Sequence, residues 1–133
     1  MKLEEIEGIA RAQAAKLEAA GVNSIESLLE TGGSAKGREQ LSAKSGISEK
    51  VLLEWVNRAD LMRIKGVGSE YSDLLESAGV DSVPELAHRN AANLVAKFVE
   101  LNDKKKLVRR VPTETETQGW IDQAKSLPKS VTH

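Results

Sequence analysis

Two groups of residues have types and spacing suited to one kind of chemistry, the holding of a phosphate. The first is Ile64-Lys65-Gly66-Val67-Gly68, with Ser69 behind it. Glycines separated by a single residue permit a tight turn and a close backbone approach. A helix that starts directly behind such a turn has free amides at its first residues, and these and the helix dipole favour an anion. Gly66, Val67, Gly68 and Ser69 would contribute amides and Lys65 charge, while Glu70 has the wrong sign. The second group is Lys104-Lys105-Lys106 and Arg109-Arg110, separated by Leu107-Val108. On a helix the apolar pair would face a core and the basic residues would project outward. The affinity of such a strip for phosphates falls steeply with salt. Each group has a plain alternative: glycines that only shape a helix–helix turn, and a solvated connection between helices.

No other constellation suggests catalysis. The chain has no cysteine, which excludes disulfides, thiolate metal sites and cysteine nucleophiles. Its two histidines, His88 and His133, fall at an expected helix end and on a C-terminal tail. There is no metal-ligand spacing, no nucleotide-binding glycine loop and no nucleophile elbow. Gly32-Gly33-Ser34 has the composition of an anion cradle but reads better as a flexible interhelix loop. The expectation is a non-enzyme with no cofactor and no metal.

The elements that would position these residues are repeated along the chain. Ile6-Glu7-Gly8-Ile9 through Gly21-Val22-Asn23-Ser24-Ile25 matches Ile64-Lys65-Gly66-Val67 through Gly79-Val80-Asp81-Ser82-Val83 at an offset of 58 residues. Trp55-Val56-Asn57 matches Trp120-Ile121-Asp122 at an offset of 65, so the second copy carries about seven extra residues, expected around Lys104–Lys106. Gly21 and Gly79 sit where a helix ends in a left-handed cap. Ser82-Val83-Pro84-Glu85 and Thr113-Glu114-Thr115-Glu116 read as capping boxes, and Ser48 as an N-cap. Apolar residues fall at helical spacing in Tyr71, Leu74, Leu75, Ala78, in Leu52, Trp55, Val56, Ala59, and in Trp120, Ile121, Ala124, Leu127. No alternating strand is visible. The reading is all-α, about four short helices per repeat, with two tandem helix-hairpin-helix-like repeats packed into one compact domain. Repeat one covers 1–61 with a degenerate hairpin. Repeat two covers 62–128 with a better-preserved one, and 129–133 form a tail. The matching tryptophans are expected in a shared core.

The stretch Ile64-Lys65-Gly66-Val67-Gly68 resembles the helix-hairpin-helix motif of DNA repair and recombination proteins. In that motif the contact is to the nucleic-acid backbone and carries little sequence information. The order of segments across the chain, including Leu53-Glu54-Trp55-Val56-Asn57-Arg58-Ala59-Asp60-Leu61, is similar to the bacterial family called domain of unknown function 4332, a relative of helix-hairpin-helix proteins. This chain departs from the motif in two places. Ala10 stands where repeat two has Gly68, and Ser69-Glu70 follows Gly68 where DNA-binding hairpins often carry a basic residue.

Composition sets the outer bounds. Hydrophobic residues make up 40% of the 133 and charged residues 29%, the balance of a globular chain. Aromatics are only 3%, so a core must come from Leu, Val, Ile and Ala. No apolar run reaches the roughly 20 residues of a membrane span, and the acidic Met1–Glu7 is no signal peptide, so a cytoplasmic protein is expected. Net charge is −1, low for a dedicated DNA binder, yet the basic residues of 89–110 outnumber Glu100 and Asp103 to leave +5. The expected function is a non-catalytic binding module for DNA or RNA backbone, the alternative a protein–protein adaptor without nucleic acid.

Overall fold

In the computed structural model, which describes all residues from Met1 to His133, the chain forms eight α-helices and no strand. They are α1 (Arg11–Ala19), α2 (Ile25–Gly32), α3 (Ala35–Ser45), α4 (Glu49–Leu61), α5 (Ser69–Ser77), α6 (Val83–Ala87), α7 (Ala91–Lys105) and α8 (Glu114–Ser126), preceded by a 3-10 turn at Leu3–Glu5. Two compact units result: Met1–Asp60 with Ser130–His133, and Leu61–Lys129. No helix is long and apolar enough to cross a membrane.

Local chemistry explains most of the boundaries. Helix α1 ends in a Schellman cap, with the amide of Gly21 on the carbonyl of Glu18 and that of Val22 on Leu17. Helix α5 ends the same way, Gly79 on Glu76 and Val80 on Leu75. Both glycines have φ near +90° (94° and 89°), where a Cβ is strained. The side chains of Ser24, Ser34, Ser48, Ser82, Asn90 and Thr113 cap the starts of α2, α3, α4, α6, α7 and α8. The box at Thr113 is complete, because Glu116 bonds back to the Thr113 amide. The one expected at Ser82 is only half made: Glu85 turns its carboxylate to Arg89 instead.

Each unit buries the stripes that the sequence marks. In unit 1, Leu17, Leu28, Leu41, Leu52, Trp55 and Val56 are enclosed. Unit 2 has a core of its own from Leu61 to Ala124, centred on Leu74, Leu75, Leu86, Phe98 and Trp120. The seven-residue excess of the second repeat is distributed. Helix α7 is a turn longer than α3, and the link from α7 to α8 is longer than that from α3 to α4.

Two local expectations are corrected. Gly32-Gly33-Ser34 is neither a flexible loop nor an anion cradle. Gly32 closes α2, Ser34 caps α3, and the carbonyls of Gly32 and Gly33 accept from the buried guanidinium of Arg38 at 2.9 and 3.1 Å. The place therefore holds a cation. Burial lowers the pKa of Arg38, with Glu49 opposing the shift. The same guanidinium donates to the carbonyl of Thr132, whose amide bonds to Gly33 at 2.8 Å. Val131 is buried and His133 meets Asn57 at 3.0 Å, so the last residues are built into unit 1.

Candidate functional site

The glycine turn of unit 2 is shaped from the far end of the unit. Gly66 adopts φ +96°, and a Cβ there would stand 3.0 Å from Nε1 of Trp120. One turn along α8, Gln123 accepts from the Lys65 amide at 3.0 Å and donates to the Lys65 carbonyl at 3.2 Å. Unit 1 repeats the device. Gly8 has φ +98° with its missing Cβ 3.1 Å from Nε1 of Trp55, and Arg58 donates to the Glu7 carbonyl at 2.8 Å. Each turn is thus held by a tryptophan and by the residue three positions after it.

The second glycine has a different role. Gly68 has φ −107°, and nothing lies within 4 Å of a Cβ added there. Its backbone needs no glycine, which explains why Ala10 serves in unit 1 with φ −89°. What both positions share is the absence of a side-chain cap. Helices α1 and α5 are the only two whose first turn no side chain caps. The first amides of α5 are therefore open behind Gly68. Val67 drops out as a donor: its amide bonds to the Ile64 carbonyl at 3.1 Å and its side chain is buried. Of the turn residues named from sequence, Lys65, Gly66 and Gly68 are exposed and Ser69 is half-buried.

The basic segment is not a continuous helix: from Lys106 on it is a connection between helices, as the plain alternative has it. Helix α7 stops at Lys105, and Lys106 takes a left-handed conformation with φ 53°. Val108 is still buried, but as part of a loop whose amide bonds to Asn102 at 3.0 Å. That loop runs back to the start of α5. The hydroxyl of Tyr71 donates to the Arg110 carbonyl at 3.0 Å, and Arg109 reaches Glu70 at 3.7 Å. The structure therefore brings Arg109 and Arg110 to the first turn of α5. Much of the charge is already matched. Arg110 makes a two-pronged pair with Glu116 at 2.7 and 2.9 Å, which drives the Glu116 pKa down to about 2 and raises that of Arg110. Lys104 lies 3.4 Å from Glu100. Lys65, Lys105 and Lys106 make no ion pair, and the loosely held Arg109 side chain is 94% exposed.

Sequence reasoning passed over Arg11. It is exposed, it opens the uncapped α1, and the 58-residue offset lays it on Ser69. Extending the repeat comparison by one residue past Ala10 would have found it. A basic hollow of about 440 Å³ in unit 2, lined by His88, Asn93 and Lys97, was also not foreseen. Its Arg89 is committed to Glu85 and to the Gly79 carbonyl.

These features define an all-α protein of two similar four-helix units, each with a glycine turn clamped by a tryptophan of its last helix. The chain belongs to the family described as domain of unknown function (DUF4332), whose model matches residues 7–127. No curated protein and no solved structure matches it.

Proposed function

We propose that this protein is a non-catalytic module that grips nucleic-acid backbone without reading its sequence, through the turn of unit 2 and the basic loop beside it. The observation that carries the reading is the folding of Arg109-Arg110 against the uncapped start of α5. The unbonded first amides of α5 and the exposed guanidinium of Arg109 then lie side by side, an arrangement that suits a phosphate. Lys65, Lys105, Lys106 and Arg109 supply the charge, and Gly68 and Ser69 the backbone donors. Glu70 lies 3.7 Å from Arg109 and opposes the anion, so a bound phosphate must displace it from that guanidinium.

A protein adaptor is the weaker reading. Met1 and Val99 are the only large hydrophobic side chains left exposed, so no apolar patch offers itself to a partner. Fluorescence anisotropy with labelled duplex and single-stranded DNA tests the proposal. Binding at low salt that weakens steeply toward physiological salt supports it. The absence of binding at low salt refutes it.

A further inference from the structure

The two units differ at the junction between their second and third helices. In unit 1 the α2–α3 junction is occupied. The segment Ser130–Thr132 lies on it, with the Thr132 amide on the Gly33 carbonyl at 2.8 Å and the Thr132 carbonyl taking a bond from Arg38. A Cβ on Gly33 would stand 2.5 Å from the Ser130 carbonyl oxygen, so the backbone of the segment sits directly on the glycine. In unit 2 the α6–α7 junction is open. Counted from the helix caps Ser34 and Asn90, Gly33 and Arg38 correspond to Arg89 and Leu94. Both line the hollow of about 440 Å³, together with Ala78, His88, Asn93 and Lys97, and no carboxylate lines it. His88, Asn93 and Lys97 are exposed and Arg89 is half-buried, so a ligand in the hollow can reach their polar ends.

We propose that this hollow docks an extended acidic peptide segment, the counterpart at the α6–α7 junction of what Ser130–Thr132 is at the α2–α3 junction. The occupied junction of unit 1 gives the kind of occupant, and the side chains of unit 2 set its charge. Leu94 offers no donor in place of Arg38, and the Cβ of Arg89 keeps a backbone from settling as it does on Gly33. The donors are side chains instead. Arg89 is fixed by Nε and Nη2 on Glu85 and by Nη2 on the Gly79 carbonyl, which leaves Nη1 without a bond. Lys97 makes no ion pair and stands four residues after Asn93, on the same face of α7. A guanidinium edge and an ammonium, joined by the His88 ring and the Asn93 amide, suit carboxylates carried along a segment, because bonds to an ionised acceptor are the strong ones. Such a segment needs no exposed apolar patch. None of these residues belongs to the nucleic-acid contact proposed above, so the inference does not rest on that reading.

The test uses the full chain, labelled with nitrogen-15, and acetylated tetraglutamate amide. Titration should move the backbone amide signals of residues 88–97 to saturation, with a dissociation constant of about 1 mM or below. Acetylated tetraglutamine amide and inorganic phosphate should each bind there at least about tenfold more weakly. Lys97→Glu, a change at an exposed position, should keep the dispersed spectrum of the folded protein and weaken tetraglutamate at least about tenfold. Arg109→Glu, in the basic loop, should change that affinity by no more than about twofold. The proposal is overturned if residues 88–97 show no saturable shift. Tetraglutamine binding as well as tetraglutamate would remove the charge from the explanation, and phosphate binding as well would leave a site for bare anions rather than a peptide. An unchanged affinity in Lys97→Glu, or an equal loss in Arg109→Glu, would move the contact out of the hollow and overturn it too.

Discussion

Replacing Gly68 by glutamate separates nucleic-acid binding from folding. Nothing stands within 4 Å of a Cβ at this position, and its φ of −107° suits any residue. An acidic group at a helix N-terminus is mildly favourable, by roughly 0.3–1 kcal/mol. The melting temperature should therefore hold or rise slightly. Binding should suffer, because the new carboxylate stands where a phosphate would approach the open amides of α5. Two unit charges about 4 Å apart repel by ~1 kcal/mol in water and ~4 kcal/mol at the effective dielectric of a protein surface. The exposed site belongs near the lower figure, so about 1–2 kcal/mol, a loss of roughly 5–30-fold in affinity. Salt dependence gives a second handle. If Lys65, Lys105, Lys106 and Arg109 each neutralise one phosphate, log K falls with log salt at a slope of about −3.6. Raising salt fourfold would then cost the wild type roughly 150-fold, and the glutamate variant should show a slope shallower by about 0.9. Anisotropy titrations at four salt concentrations, with thermal melts of both proteins, measure all of this. A variant that melts normally and binds as the wild type does would refute the hairpin as the contact.

The remaining predictions concern the frame. Gly66→Ala should cost about 1–3 kcal/mol, because its φ of +96° is joined by a 3.0 Å approach to Trp120; Gly21→Ala, at φ +94° with open space around it, should cost only about 1 kcal/mol. Chemical denaturation that ranks them the other way would remove the tryptophan clamp from the explanation. Arg38→Met leaves the carbonyls of Gly32, Gly33 and Thr132 without their charged donor and should destabilise by about 3 kcal/mol in urea; a loss below about 1 kcal/mol would show those bonds to be incidental. The folded-state pKa of Glu116, about 2 against an ordinary 4.5, is depressed, so its pairing with Arg110 stabilises fully above pH 4.5 and fades as pH falls toward 2. The melting-temperature gap between wild type and Glu116→Gln should close over that window, and a gap constant from pH 7 to pH 2 would contradict the pairing.

Much of the frame is written in local chemistry, and local chemistry is legible. The caps at Ser24, Ser82 and Thr113, the glycines at 21 and 79, and the buried stripes around Trp55 and Trp120 all depend on neighbours within a turn or two. The basic segment stays open in the sequence because its helix ends on Lys106, a residue with no C-cap signature, where a glycine would announce the stop. The approach of Arg110 to Tyr71 spans 39 residues and leaves no periodic trace. The clamps were half visible. The repeat aligned the tryptophans and the glycines, but nothing in the residue types says that an indole edge faces a glycine 54 residues earlier. Gly68 attracted attention as half of a motif, whereas its backbone angles turn out to be ordinary.

The packing of residues 130–133 into unit 1 has a consequence for synthesis. Val131 is buried in the N-terminal unit, and Thr132 is tied to Gly33 and Arg38. A ribosome delivers residues in order at roughly 5–20 per second, and domains usually complete themselves in that order. Here the first unit must wait for residues 130–133, while the second can close as soon as Gln123 reaches Lys65. The half made first is finished last. Any chain cut short before Ser130 would carry a sealed second unit and an unsealed first one, a difference that a protease in the cell can read.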